Sequence, residues 1–266
     1  MTTAIDHIKP ELSDKQFQVD IQRESFVQHQ LTRVHAVDKT FTEVDFKQAF
    51  IQSCYFRNCR FIRCDFTGAQ IKDTNLKGST FSDCKFLYTT WEKTMLEEEF
   101  LESCLPAEEN LARDLVRSLR VNFTQTGNYE AVNRAAAIEV QLTGRHLYNA
   151  AYSRQSYHRR KYKGWDRARI AAKHAQWKLL DLVWGNGESI VKVARSCLVV
   201  ILLAAIAAAW IGPRPGFLSS LELAFMQFWG VGEESMSPPF AITLTIARYI
   251  LFGLFMAILV KRLSRR

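Results

Sequence analysis

The sequence AFIQSCYFRNCRFIRCDF, residues 49–66, decides how the first part of the chain folds. It places a large apolar residue at every fifth position and a small residue two positions before most of them. Neither the 3.6-residue period of a helix nor the two-residue period of a strand produces this spacing, so it indicates a structural repeat. In both directions from this stretch, the large positions are Phe26, Leu31, Ala36, Phe41, Phe46, Ile51, Phe56, Phe61, Phe66, Ile71, Leu76, Phe81, Phe86, Trp91, Leu96 and Leu101.

This pattern resembles the pentapeptide-repeat proteins. The resemblance implies a right-handed quadrilateral β-helix in which each side is one pentapeptide and each coil takes four of them. Equivalent residues of successive coils then stack about 4.8 Å apart. The two expected aromatic columns are Phe26, Phe46, Phe66 and Phe86, and Phe41, Phe61, Phe81 and Leu101.

Five of the cysteines occupy small positions of the repeat: Cys54, Cys59, Cys64, Cys84 and Cys104. None has the C-x-x-C spacing that is typical of zinc sites. Stacking brings the last three close together, which admits a disulfide or a metal site. Cysteine also serves as a small apolar filler in a buried column, and this is the role that we predict.

The outward-facing positions of the repeat carry charges of both signs, and the whole chain has a formal net charge of +8. Such a face is too basic for the imitation of duplex DNA that is known in this family. A solvated surface explains it, and a rigid solenoid with capped ends offers such a surface to a protein partner. We do not expect nucleic acid to bind.

Changes of pattern along the chain predict five segments. Pro106 ends the repeat and suits the first turn of a helix. We expect two helices after it, the second running from Tyr129 to about Arg160. In chain order the segments are a lead-in or cap (1–25), the cytosolic β-helix (26–105), a helical linker (106–164), an interfacial helix (165–188) and a membrane domain (189–266).

The predicted interfacial helix combines cations with an apolar stripe. Its apolar residues recur at steps of three and four: Trp165, Ala168, Ala172, Ala175, Leu179 and Val183. A basic amphipathic helix of this kind lies along an anionic membrane surface, where each cation contributes about 1 kcal/mol. We expect Arg167, Arg169, Lys173 and Lys178 to face anionic lipid of the inner leaflet. A nucleic-acid patch is the alternative interpretation.

Two apolar segments, Cys197–Ile211 and Phe240–Val260, predict membrane spans, because with their flanks they reach the length of about 20 residues that a span needs. Residues 1–10 lack the apolar core of a signal peptide, so we expect the spans to direct the chain to the membrane. Cations precede the first span and follow the second, which predicts that both termini are cytoplasmic. We predict a multi-pass protein of the cell inner membrane.

Between the spans lies SSLELAFMQFWGVGEES, residues 219–235. Together with the spans, it resembles the two-transmembrane pore module of the potassium-channel superfamily over residues 190–266. The resemblance implies a selectivity filter whose backbone carbonyl groups coordinate a cation. The family's threonine and aromatic residue are replaced by Phe228 and Val231, which predicts a weaker preference for potassium. The filter residues are Phe228, Trp229, Gly230, Val231, Gly232 and Glu233.

The same resemblance implies four subunits around one pore. Repeated fourfold, Glu233 and Glu234 would form an outer acidic ring that concentrates cations. Gly253, midway along the second span, has two interpretations, a gating hinge or a site of close helix packing. Arg248 is a costly charge within a span; it either pairs with Glu222, which we favour, or lines the cavity.

The chain lacks G-x-S-x-G, H-E-x-x-H and phosphate-loop motifs, so we do not expect an enzyme. We expect no cofactor apart from a permeant monovalent cation. The leading hypothesis is a tetrameric, cation-conducting membrane channel with a cytosolic β-helix that senses or couples to a partner. The alternative is a non-conducting, membrane-anchored scaffold whose β-helix recruits a protein.

Overall fold

The computed structural model describes residues 10–211, 216–231 and 237–264. The described chain divides after Ser153 into two compact units. The first unit is a β-solenoid of about four turns with a helical end, and the second unit is all-helical. The predicted linker, 106–164, is therefore shared between the two units.

The solenoid consists of short parallel strands that pair mostly with the strand one coil, or twenty residues, further along. One side contains β1 (Glu11–Ser13), β3 (Gln30–Thr32), β6 (Phe50–Gln52), β9 (Gln70–Lys72) and β11 (Thr90–Glu92). The next contains β4 (His35–Val37) and β7 (Tyr55–Arg57); the third contains β2 (Ile21–Gln22), β5 (Thr40–Thr42), β8 (Arg60–Ile62) and β10 (Thr80–Ser82). Single bridges through Ser25, Asp45, Asp65 and Lys85 make the fourth.

The predicted aromatic columns are confirmed over most of their length. The ring centroids of Phe46 and Phe66 lie 4.8 Å apart, and those of Phe61 lie 4.9 Å from both Phe41 and Phe81. The two rings of each pair are stacked and nearly parallel, because successive coils present the same side chain at the spacing of paired strands. At the end of the second column Leu101 is buried in the same core, and its neighbour Phe100 packs edge-on against Phe81 at 5.2 Å.

The small column has a second role beyond filling space. The thiols of Cys54, Cys59 and Cys64 lie 3.3–3.4 Å from backbone carbonyl oxygens of the preceding coil. Burial raises the pKa of the Cys54 thiol from 9.0 to about 11. The cysteines are free thiols, and the described residues contain no group of metal-ligating side chains. The column is thus a filler that also satisfies buried carbonyl groups.

The solenoid begins earlier than predicted, at Glu11 rather than residue 26. Leu12 pairs with Leu31, nineteen positions away, whereas Ile21 pairs with Phe41, twenty away. The first coil is therefore one residue shorter between Phe17 and Ile21. This deletion breaks the five-residue spacing and conceals the first coil from a search by period.

Helices close the other end of the solenoid. A short helix, α1 (Phe100–Ser103), replaces the next strand, and α2 (Glu109–Thr126) and α3 (Tyr129–Tyr152) form a hairpin. Asn122, which is fully buried on α2, accepts a hydrogen bond from the Thr94 backbone N–H at 2.7 Å and donates one to its carbonyl oxygen at 2.8 Å. This amide supplies the bonds that a further strand would make, and so caps the open edge.

The second unit is a chain of helices. It contains α4 (Ser156–Lys161), α5 (Gly164–Trp184), a 3₁₀ turn (Gly185–Gly187), α6 (Ile190–Ile211), α7 (Phe217–Trp229) and α8 (Pro238–Leu263). The predicted helix from Tyr129 to Arg160 is divided, since Ser153 at the end of α3 is extended. The remaining predicted helices coincide with α5, α6 and α8.

Candidate functional site

Helices α6 and α8 are each long and apolar enough to cross a membrane. Only 17% of the residues in the apolar window of each are buried. Large side chains therefore point outward, among them Trp210, which is 87% exposed, and Phe252, which is 60% exposed. Length and composition alone are weak support for membrane insertion, whereas an apolar surface of this extent needs a cover.

The short helix α7 packs between α6 and α8. Its buried residues Leu223, Ala224 and Phe228 join Ala205 of α6 and Leu251 of α8 in one apolar cluster. Small residues on α6 and α7 allow the helices to approach closely, as at other interfaces between apolar helices. The cluster fixes the end of α7 beside α8.

The predicted filter begins inside this helix. Phe228 and Trp229 are the last residues of α7, and Phe228 is buried. Gly230 follows with φ 71°, while the Val231 N–H donates to the Met226 carbonyl oxygen at 2.9 Å. This is a helix cap of the Schellman type, which requires the left-handed backbone that glycine tolerates. The carbonyl groups of Phe228 and Trp229 therefore belong to a helix end, not to an extended filter strand.

The other filter predictions divide by position. Val231 is 64% exposed directly after the cap. Gly232, Glu233 and Glu234 lie outside the described residues, so the filter and the acidic ring remain predictions there. Gly253 lies within the regular helix α8, and apart from its chain neighbours and its own helix backbone, no described heavy atom comes within 4 Å of where its Cβ would stand. The described residues thus give Gly253 no close packing partner.

Arg248 does not pair with Glu222 as predicted. Glu222 is exposed on α7, and no ion pair joins the two among the described residues. Instead, Arg248 Nη1 donates to the Phe228 carbonyl oxygen at 3.4 Å, and its guanidinium carbon lies 4.9 Å from the centre of the Tyr249 ring. The guanidinium thus lies at the C-terminal end of α7, where the negative end of the helix dipole and the face of an aromatic ring both attract a cation.

A cluster of charges lies at the start of α6 and the end of α8. Lys192 of α6 contacts Asp181 of α5 at 2.8 Å, and Lys261 of α8 forms an ion pair with Glu188. Arg262 donates to the backbone carbonyl oxygen of Glu188 at 3.0 Å. In the sequence, these cations predict the orientation of the spans. Their carboxylate partners were not predicted, although two acidic residues beside a basic run are a readable signal.

The four cations predicted to face lipid lie on α5. Arg169, Lys173 and Lys178 are exposed, and Arg167 is half-buried. No described residue of α5 is fully buried, although one face is partly covered. The helix therefore presents a largely open surface along its whole length.

The shape of the first unit defines the class of protein as a β-solenoid with a five-residue repeat. Residues 40–80 match the family model described as pentapeptide repeats (9 copies). The solenoid is accordingly made of pentapeptide repeats, which confirms this part of the prediction. No curated protein matches the chain.

Several solved structures are similar to part of the chain. One is QnrB1, a plasmid-mediated fluoroquinolone resistance protein, at 12% identity over 34% of this chain and 62% of QnrB1, with a TM-score of 0.24. A pentapeptide repeat protein from the Arabidopsis thaliana thylakoid lumen is 15% identical over 40% and 86% of the two chains, with a TM-score of 0.21. One from the cyanobacterium Cyanothece 51142 is 16% identical over 33% and 80%, with a TM-score of 0.15. These similarities transfer no function to this chain.

Proposed function

We propose that the protein is a membrane ion channel in which α6 and α8 span the bilayer and four copies surround one pore. The pentapeptide-repeat solenoid then lies in the cytosol and senses or couples to a protein partner. The observation that carries this proposal is the short helix α7, packed between two apolar helices whose outer surfaces are uncovered.

The exposed apolar surface supports a membrane environment. Each square ångström of apolar surface left in water costs about 25 cal/mol, so outward-facing side chains on two long helices are costly in a soluble monomer. Hydrocarbon covers such a surface on the outside of a span, and further copies of the chain cover the rest. Cations at the start of α6 and the end of α8 favour cytoplasmic termini at the inner membrane.

The end of α7 supports a pore. A non-helical backbone at membrane depth is stable only where it is packed in protein or lines water. The cap at Gly230 ends α7 while the helix is still packed against α6 and α8. The non-helical chain after it therefore needs to be covered by protein or to face water. Closed rotational symmetry around the ends of α7 provides them.

The balance of charge favours cations. In each copy, two carboxylates, Glu233 and Glu234, follow α7 in the sequence. One guanidinium, that of Arg248, contacts the end of α7. Carboxylates in excess at a pore mouth raise the local cation concentration. Since Arg248 stands beside the first filter glycine, potassium selectivity is expected to be weaker than with the full family motif. We propose no catalytic role and no bound cofactor.

A flux assay on the full protein in proteoliposomes tests the proposal, with potassium, sodium and chloride gradients measured separately. We expect cation flux that falls severalfold in the double variant Glu233→Gln, Glu234→Gln. The matched control is Glu24→Gln with Glu130→Gln, which removes the same charge from exposed positions of the first unit. A chloride flux above the potassium flux would overturn the cation assignment. If no ion moves, the channel proposal fails and a membrane-anchored solenoid is left.

A further inference from the structure

The helix α5 has an apolar face that nothing in the described chain covers. Six residues at steps of three and four are all exposed, and we refer to them as the α5 stripe: Trp165, Ala168, Ala172, Ala175, Leu179 and Leu182. Trp165 is 90% exposed, Leu179 61% and Leu182 58%. Val183, which was also predicted to belong to this stripe, is half-buried against the cluster of α6, α7 and α8 instead.

Cations border the α5 stripe on both sides. At about 100° per residue, Arg169 and Lys173 follow one edge, and Arg167 and Lys178 follow the other. Of the two acidic residues of α5, Asp166 lies in the first turn on the side of Arg169 and Lys173, and Asp181 contacts Lys192 on the face away from the stripe. Cations therefore outnumber carboxylates along the two edges. The surface that fits α5 is therefore apolar within and anionic at its border.

The C-terminal end of α5 is fixed to the start of the first apolar helix. The Ser196 hydroxyl donates to the Val183 carbonyl oxygen at 2.8 Å, and Arg195 donates to the carbonyl oxygen of Leu182. Only the 3₁₀ turn and two further residues separate α5 from α6. If α6 spans the bilayer, the C-terminal end of α5 lies at the level of the lipid headgroups.

We infer that α5 lies in the headgroup layer of an anionic bilayer, with the α5 stripe towards the acyl chains and its bordering cations on the lipid phosphates. The inference rests on the proposed membrane residence of α6 and α8, but it requires no conduction. A shallow stripe of alanines with tryptophan and leucine at its ends suits this depth, since such helices insert by about 5–10 Å. Lipid is favoured over a protein partner because both edges are basic and the stripe joins a span.

A depth measurement on the full chain in vesicles tests the inference. A nitroxide on an unnatural ketone side chain at Leu179 reports its accessibility to oxygen, which is enriched in lipid, and to a nickel chelate, which is enriched in water. We expect a severalfold higher oxygen-to-nickel ratio at Leu179 in vesicles of phosphatidylcholine with phosphatidylglycerol than in phosphatidylcholine alone.

Charge variants identify the anionic lipid as the cause. Arg169→Gln with Lys173→Gln removes two surface cations, each of which contributes about 1 kcal/mol to binding of the anionic surface. We therefore expect the population of inserted label, relative to the water-exposed population, to fall about 30-fold. The control Arg60→Gln with Lys77→Gln removes equal charge from the solenoid and should leave it unchanged. High nickel access in both lipids would overturn the inference, as would low access to both reagents, which indicates that protein covers the stripe. Because depth is measured without ion flux, this result and the channel assay fail independently.

Discussion

The solenoid and the helical unit treat their apolar residues in opposite ways. In the solenoid, rings such as Phe41 and Phe61 are at most 1% exposed, because each coil covers the coil before it. In the helical unit, Trp210 and Phe252 face outward along helices of more than twenty residues. The solenoid therefore encloses its core within one chain, whereas the helical unit leaves apolar surface for a bilayer or for other copies.

This difference predicts where substitutions have their largest effect. Phe61→Ala removes a ring that is stacked on Phe41 and Phe81, and we expect it to lower the free energy of unfolding of the solenoid by about 3–5 kcal/mol. Native-state hydrogen exchange of the amides in β5, β8 and β10 measures the loss within the full chain. The neighbouring exposed variant Arg60→Gln is the control. A loss below about 1 kcal/mol would show that the coils do not cover one another as tightly as the rings indicate.

The second prediction concerns the boundary of the solenoid, where a helix takes over the role of a strand. Asn122→Ala leaves the buried N–H and carbonyl group of Thr94 without their partners, which is expected to cost about 1–3 kcal/mol. Exchange at Thr94 and along β11 should accelerate accordingly. Gln125→Ala removes one exposed bond to the Lys93 amide and should cost less. Equal effects of the two variants would contradict the capping role of Asn122.

The sequence predicts the solenoid well because its determinants are local and periodic. Large residues five apart predict the columns, and even the failure at Leu12 has a simple cause, a coil that is one residue short. Asn122 could not be predicted in this way, since its amide replaces a strand that the pattern leads one to expect. The repeat shows where the strands are but not what covers the last one.

The helical unit is predicted less completely for a physical reason. Hydropathy identifies α6 and α8, and the short run between them predicts α7. The contact of Arg248 with the Phe228 carbonyl oxygen depends on where two helices cross, which no period in the sequence describes. For the same reason, the sequence favours a pairing of Arg248 with Glu222 that the described helices do not form.

The third prediction separates a glycine that the fold requires from one that it does not. Gly230→Ala places a Cβ in the left-handed region and 2.5 Å from Arg248 Nη1, so we expect a loss of about 1–2 kcal/mol. Gly253→Ala is the matched change in a helix with open space, and it should stabilise α8 by about 0.5–1 kcal/mol. Thermal unfolding of the full chain in detergent compares them. Equal losses would show that Gly253 also needs glycine, in support of a bend or a packing site in the assembled protein.

The smallest expected effect lies where the helical unit depends on its own charges. Glu188→Gln, Lys261→Met and the double variant form a cycle around an ion pair whose side chains are 15% and 40% exposed. We expect a coupling energy of roughly 0.5–1 kcal/mol, since a partly hydrated pair gains little over its separate ions. Lys261→Met alone should cost more than Glu188→Gln, because Lys261 also donates to the Gly187 carbonyl oxygen at 3.4 Å. The cycle is measured by thermal unfolding at low and at high salt. A coupling of zero at low salt would mean that the Glu188–Lys261 ion pair does not help to hold the chain after the 3₁₀ turn against α8, and that the other contacts there, such as the Arg262 hydrogen bond to the Glu188 carbonyl oxygen, are sufficient.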